Sequence, residues 1–182
     1  KMEKHIIDRR IAILKAEGII FKTNVNVGVD YDTKNLDNFD SIVLCGGATK
    51  TRSLPTPGID ADGVVQAMTF LTQQTKVVLG KPIENQILAT DKNVIVIGGG
   101  DTGSDCIGTS NRQGAKNVVN FEIMPKPPGH RSPTTPWPFW PLKLKTSSSH
   151  QEGVERNWLI NTKEFVKDAN GKLIALKTIN AQ

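Results

Sequence analysis

The chain has 182 residues, of which 37% are hydrophobic and 23% are charged, and its 23 basic and 18 acidic residues give a formal net charge of +5. This length fits one ordinary domain or two small ones, and the composition excludes a disordered chain. No apolar run approaches the ~18 residues of a membrane-spanning helix, and basic residues are scattered without a helical stripe, so we expect neither a membrane nor a nucleic-acid partner.

The first third of the chain predicts a helix followed by two strands. Apolar residues recur at helical spacing over residues 4–17, and Gly18 ends that helix. Residues 19–23 are rich in β-branched and aromatic side chains, which favours a strand that leads into a polar loop at 30–38. Residues 41–45 form an apolar run that ends in small residues at 46–48, as is typical of a buried strand.

The middle of the chain predicts a βαβ unit. A helix is expected over residues 64–79 from the spacing of its apolar residues. The continuous apolar run at 93–97 predicts a parallel strand that is covered on both faces. A helix to about Gln113 and a strand over residues 117–123 follow, which completes a βαβ unit of about 30 residues.

The last third of the chain predicts a stiff loop and a small β-hairpin. Seven of the ten prolines lie in residues 125–141 together with two tryptophans, which excludes a helix or a central strand there. Its aromatic side chains are expected to pin this loop to the domain or to cover a neighbouring subunit. Residues 147–150 are expected to be loop, and residues 157–167 and 172–180 to be strands joined by a turn at 168–171. The predicted fold class is therefore α/β, a Rossmann-like parallel sheet with a βαβ unit and a β-hairpin.

A glycine pattern follows the predicted strand at 93–97. Gly98, Gly100 and Gly103 stand between a strand and a helix, which is the context of a dinucleotide fingerprint. Gly98 permits a tight turn, Gly100 lets the backbone approach a pyrophosphate, and Gly103 lets the helix pack close to the strand. A glycine-rich turn without a ligand is the alternative.

The two residues after Gly100 have different expected roles. Asp101 is expected to cap the free N–H groups at the start of the helix. A carboxylate that faced a pyrophosphate would repel it, whereas the hydroxyl and N–H of Thr102 can donate to a phosphate oxygen. Thr102 is therefore the better candidate for a phosphate ligand.

Glu122 ends the second strand, about 20 residues after the fingerprint. An acidic side chain there accepts hydrogen bonds from ribose hydroxyls and repels a 2′-phosphate, which favours NAD over NADP. A solvated glutamate at a strand end is the alternative reading. The nearby Lys126, His130 and Arg131 leave room for a 2′-phosphate if the loop folds back.

The chain resembles the small (beta) subunit of glutamate synthase over nearly its whole length. The resemblance is carried by residues 94–106, 112–116 and 121–128, continues through 135–138 and 146–153, and extends upstream to 8–10 and 24–28. It implies a disulfide-reductase-like pair of Rossmann domains, one for FAD and one for NAD(P)H. It also implies that electrons pass from NADH to FAD and onward to a large subunit that makes glutamate.

The resemblance also implies site residues. The cofactor-binding set would be Gly98, Gly99, Gly100, Asp101, Thr102, Gly103 and Glu122 for the pyridine nucleotide, with Cys45, Gly46, Gly47 and Ala48 near FAD. Branches of this family that use NADPH carry an arginine pair where this chain has Ile123 and Met124, so the NADH-type branch is expected, with NADPH as the alternative. No catalytic side chain and no metal ligand is expected.

The resemblance divides the chain into two parts. Residues 1–60 would be the later part of an FAD-binding domain, and residues 61–182 the first part of the NAD(P)H domain. Because the first FAD fingerprint has no counterpart, we expect a fragment that is inactive alone. Other readings are a non-catalytic nucleotide-binding or interaction module, or the reductase part of a dihydropyrimidine dehydrogenase. A homo-oligomer is possible, and reduced thiols at Cys45 and Cys106 favour the cytoplasm.

Overall fold

The computed structural model describes residues 3–48, 50–52 and 54–181 of the chain. The chain divides into two compact units, Lys1–Thr49 and Lys50–Gln182. The assignment of residues 1–60 and 61–182 to an FAD domain and an NAD(P)H domain stays a prediction.

The described residues of the first unit form one α-helix and one 3₁₀-helix. Helix α1 spans Lys4–Ala16, which confirms the helix predicted over residues 4–17, and none of its residues is buried. The predicted polar loop contains a 3₁₀-helix at Thr33–Asn38. The Asp32 side chain caps this helix by accepting a hydrogen bond from the Lys34 N–H at 2.9 Å.

The two strands predicted at residues 19–23 and 41–45 are wrong. Neither segment pairs with another strand in the structure, and the side chains of Ile20 and Leu44 are 83% and 90% exposed. A strand requires a hydrogen-bonded neighbour. The one isolated β-bridge among the described residues of this unit joins Val27 to Tyr31, so β propensity alone does not produce a sheet here.

The second unit carries a three-stranded parallel sheet and a separate two-stranded antiparallel sheet. Numbered in chain order, the elements of this unit are α2 Ala67–Val78, β1 Asn93–Ile97, α3 Asp101–Arg112, β2 Asn117–Glu122, α4 Ser148–Gln151, β3 Glu155–Trp158, β4 Ile160–Lys167 and β5 Leu173–Asn180. The parallel sheet has the order β1-β2-β3, and the antiparallel pair is β4-β5. The α/β class, the βαβ unit and the hairpin are therefore confirmed, with helix ends within three residues of the predicted ones. The prediction that the strand at 93–97 is covered on both faces is wrong, since Ile95 and Ile97 are 41% and 43% exposed.

One hydrophobic core joins α2 and α3 to the parallel sheet. Ile107 of α3 is fully buried, and the β1 and β2 side chains that face it are Val96 and Val118, at 8% and 6% exposure. The buried members of this cluster are Phe70, Leu71, Ala89, Val96, Cys106, Ile107 and Val118. This packing fixes α3, and with it the glycine turn before α3, relative to β1 and β2.

The strand predicted over residues 157–167 is two strands. Leu159 has a φ of +60°, a left-handed conformation that a branched side chain rarely adopts and that breaks the strand. The part before it, β3, runs parallel to β2 with Glu122 opposite Trp158. The part after it, β4, pairs with β5. The chain therefore brings residues 155–158 beside the end of β2, which the sequence reading did not foresee.

The loop predicted at residues 147–150 is also wrong, because Ser148–Gln151 is a short helix that follows the N-cap residue Ser147. No helix among residues 3–48, 50–52 and 54–181 is long and apolar enough to cross a membrane.

Candidate nucleotide site

A tight turn connects β1 to α3. Gly98 has a φ of +106°, which only glycine adopts without strain, and its N–H donates to the carbonyl oxygen of Phe121 at 2.8 Å. A β-carbon added at Gly103 would lie 2.3 Å from the carbonyl oxygen of Gly98. The first turn of α3 therefore packs directly on the end of β1, in the geometry expected for these two glycines.

The N-terminus of α3 has no side-chain cap. Gly100 is the N-cap residue, and a β-carbon added there would meet nothing within 4 Å. The first N–H groups of the helix thus face open space with a partial positive charge, which suits a phosphate. The expectation that Asp101 caps the helix is wrong, since Asp101 is the first helical residue and makes no capping bond. Both Asp101 and Thr102 are exposed.

Glu122 folds over the glycine turn. A β-carbon added at Gly99 would lie 2.1 Å from the carboxyl carbon and one carboxylate oxygen of Glu122, so only glycine permits this approach. The Glu122 side chain is 16% exposed, and its Oε1 accepts a hydrogen bond from Arg156 Nη2 at 2.9 Å. This glutamate is therefore a shielded ion-pair partner beside the fingerprint, which disfavours the reading of a solvated strand end.

Arg156 is a site residue that the sequence reading missed. It lies on β3, its side chain is 12% exposed, and its Nη1 donates to the carbonyl oxygen of Lys145 at 3.0 Å. Its guanidinium carbon and the ammonium of Lys126 each lie 5.0 Å from the ring centre of Trp158. The sequence carried no signal for this cluster, because the placement of β3 beside β2 depends on the break at Leu159.

Asn120 was also missed, although the sequence held a signal for it. Its side chain is fully buried, and its Nδ2 donates to the carbonyl oxygens of Val96 and Gly98 at 3.0 Å each. Asn120 therefore fixes the end of β1 where the turn begins. An amide within an apolar strand, two residues before Glu122 and on the same face, indicates such a positioning role.

Helix α4 begins with a capping box that uses histidine. The His150 N–H donates to Ser147 Oγ, and His150 Nδ1 accepts from the Ser147 N–H at 3.1 Å. Ser147 Oγ also lies 2.5 Å from the Oγ of Ser104 on α3. Burial lowers the pKa of His150, and the positive charge of Arg156 adds to this effect while Glu122 opposes it. A neutral imidazole with Nδ1 as acceptor fits this arrangement, in which Ser147 is the N-cap residue of α4.

The proline-rich loop is stabilised internally by hydrogen bonds from Arg131, and its two tryptophans are exposed. Arg131 donates from Nε to the carbonyl oxygen of Thr135 at 2.8 Å and from Nη2 to that of Phe139 at 2.6 Å. Trp137 and Trp140 are 82% and 76% exposed, so the expectation that aromatic residues pin the loop to the domain is wrong. A role in covering a neighbouring subunit stays a prediction.

The segment predicted to lie near FAD is exposed in this unit. Cys45 is exposed, and β-carbons added at Gly46 and Gly47 would meet nothing within 4 Å. A flavin role for residues 45–48 therefore stays a prediction. No group of three or more potential metal ligands is present among the described residues.

Comparison with known proteins identifies relatives over the whole chain. A family model described as pyridine nucleotide-disulphide oxidoreductase matches residues 1–177. The glutamate synthase [NADPH] small chain of Mycobacterium tuberculosis (strain H37Rv) is 47% identical over 97% of this chain. The corresponding small chain of Bacillus subtilis is 42% identical, and the glutamate synthase [NADH] of Schizosaccharomyces pombe is 41% identical, each over the full chain.

The chain covers only part of each relative. It spans 37% and 39% of the two bacterial small chains and 9% of the Schizosaccharomyces pombe protein. Relatives named for NADPH and relatives named for NADH have similar identities to this chain, so sequence similarity does not decide between the two nucleotides.

Proposed function

The chain belongs to the pyridine nucleotide-disulphide oxidoreductase family, and from this premise we propose that residues 93–158 bind the ADP half of NADH as the nucleotide-binding part of a glutamate synthase small subunit. The observation that carries the proposal is the uncapped N-terminus of α3 at Gly100, where a β-carbon would meet nothing within 4 Å. Helix N-termini of this kind bind phosphate groups through free N–H groups and the helix dipole.

Each part of the nucleotide then has a proposed contact. The pyrophosphate lies at the N-terminus of α3, where the backbone N–H groups and the exposed hydroxyl of Thr102 donate to its oxygens. The adenine ribose lies beside Glu122. Oε1 of this residue is paired with Arg156, and Oε2 makes no hydrogen bond with the described residues, so Oε2 is the acceptor for the ribose hydroxyls. A carboxylate at this point favours NADH.

The residues of this chain orient the nucleotide and carry out no acid or base step in the proposal. The bound nicotinamide supplies the hydride, and the protein contributes binding and orientation. Contact of the exposed residues 45–48 with FAD in the longer protein stays a prediction. A large subunit as the partner, and glutamate synthesis as the activity of the longer protein, are proposed from the names of the relatives.

Calorimetric titration of the chain with NADH and with NADPH tests the proposal. We expect binding of NADH, with Gly100→Val weakening it by at least about tenfold because its side chain fills the space kept for the pyrophosphate. Gly129→Val is the matched control, since a β-carbon at Gly129 also meets nothing within 4 Å but lies outside the fingerprint.

The outcomes separate a ligand site from a structural turn. Unchanged NADH affinity in folded Gly100→Val, verified by circular dichroism, would remove the phosphate site from α3. Equal losses in Gly100→Val and Gly129→Val would assign the effect to general damage. A loss in Gly100→Val alone supports the proposal.

A further inference from the structure

We propose that Arg156 determines the choice between NADH and NADPH. In the native chain it positions the Glu122 carboxylate for the ribose, and when the charge of Glu122 is removed it becomes a ligand of the 2′-phosphate together with Lys126. This inference rests on the proposed nucleotide site and names the residues that set its substrate class.

The Glu122–Arg156 pair is shielded from water. Its two side chains are 16% and 12% exposed, and the bond is 2.9 Å long. A shielded pair with this geometry is stronger than a surface pair, and losing one partner leaves the other charge uncompensated. Because Glu122 also contacts Gly99 of the turn, the pair fixes where its carboxylate stands relative to the fingerprint.

Arg156 keeps unused capacity to donate. Its Nη1 donates to the carbonyl oxygen of Lys145 and its Nη2 to Glu122, while its buried Nε has no partner among the described residues. Replacing Glu122 by a neutral side chain releases the charge-assisted bond at Nη2. A guanidinium with free donors is the group that best binds a phosphate in two-point geometry.

The charges around Trp158 also favour a phosphate ligand once Glu122 is neutral. Arg156 and Lys126 each lie 5.0 Å from the ring centre of Trp158, and Arg156 is paired with Glu122, so these three charged groups together carry +1. Removing the charge of Glu122 raises this sum to +2, which favours a 2′-phosphate. Ile123 and Met124, which follow Glu122 in the chain, are uncharged, so the cations of this cluster come from β3 and from the loop after β2.

A double-mutant cycle tests the inference. Dissociation constants for NADH and NADPH are measured by calorimetry on the full chain as native protein, Glu122→Gln, Arg156→Gln and the double variant. We expect Glu122→Gln to raise the affinity ratio of NADPH to NADH by about tenfold or more. The double variant should lose that gain, and Arg156→Gln alone should weaken NADH binding several-fold, because Glu122 loses its partner.

Two further measurements separate a ligand role from a structural one. NADPH binding by Glu122→Gln should weaken with added salt more steeply than NADH binding does, as expected for a phosphate held by cations. The exposed Lys126 offers a variant that leaves Arg156 and its bond to the Lys145 carbonyl in place. Lys126→Gln in the Glu122→Gln background should reduce the NADPH gain, whereas Lys143→Gln, an exposed lysine of the same loop, should reduce it less.

The results distinguish the inference from the proposed function. If NADH binds and is lost in Gly100→Val, but the NADPH to NADH ratio in Glu122→Gln is the same with and without Arg156, the inference is overturned while the nucleotide site stands. If no variant and no native chain binds either nucleotide, the site itself is wrong and the inference falls with it.

Discussion

Two segments of the chain share a sequence pattern but differ in structure. Residues 41–47 and residues 93–99 each consist of one polar residue, a run of four apolar residues and two glycines. The second run is strand β1, paired in parallel with β2 along its whole length, while the first forms no strand. Val96 is 8% exposed and Val43 is 81% exposed, although both are valines within similar runs.

An apolar run that ends in glycines is therefore not sufficient to form a strand and a ligand loop. Strand β1 has a neighbour because α3 returns the chain to β2, and α3 covers the sheet with Ile107. Among the described residues of the first unit, no strand pairs with residues 41–47. Burial and pairing, not local composition, separate the two segments.

The largest change in stability is expected when the glycines that follow the two runs are substituted. Gly103→Ala places a β-carbon 2.3 Å from the Gly98 carbonyl oxygen, whereas Gly46→Ala meets nothing within 4 Å. We expect the first substitution to lower the free energy of unfolding by about 2–3 kcal/mol and the second to change it by less than about 0.5 kcal/mol. Urea denaturation followed by circular dichroism measures both. Equal changes in the free energy of unfolding would show that Gly103 is no more tightly packed than Gly46.

A smaller effect is expected for the paired valines. Val96→Ala removes two methyl groups from the core beside Ile107 and Val118 and should lower the free energy of unfolding by about 1.5–2.5 kcal/mol. Val43→Ala removes the same groups from a side chain that is 81% exposed, so we expect a change of less than about 0.5 kcal/mol. The same denaturation series measures both variants. A loss above about 1 kcal/mol in Val43→Ala would show that residues 41–45 are packed in solution.

The smallest expected effect concerns the pH dependence of the second unit. Burial lowers the pKa of His150 below its ordinary value of 6.5, with Arg156 as the next cause. The unfolded chain therefore binds a proton at this residue more readily than the folded one. Stability should fall as pH is lowered through 6.5, down to the pKa of the folded state.

The substitution His150→Gln tests this pH dependence of stability and keeps the capping box. A glutamine at the third helical position also accepts the N-cap N–H through its side chain. We expect His150→Gln to flatten the loss of stability below pH 6.5, as measured by urea titrations at several pH values. His5→Gln, on the exposed helix α1, is the matched control and should leave the slope unchanged. A slope that is the same in all three proteins would contradict the role of His150.

Helices and strands with a local sequence pattern could be predicted from the amino-acid sequence. The periodicity of residues 4–17 and the glycine stop at Gly18 were sufficient for α1, and the apolar run, fingerprint and second strand were sufficient for β1-α3-β2. The roles of Gly98 and Gly103 in the turn also followed from sequence, because φ at Gly98 and the close packing at Gly103 are demands of the strand-to-helix geometry itself.

The contacts at the end of β2 depend on the tertiary fold and could not be predicted from the sequence. The left-handed residue Leu159 splits one predicted strand and sends Arg156 and Trp158 to the side of Glu122. Ser147 and His150 form the capping box of α4 where a loop was expected, and Ser147 also contacts Ser104 of α3. These contacts join residues that are 34 and 43 positions apart in the chain. Such pairings depend on the path of the backbone between them, which local propensity does not specify.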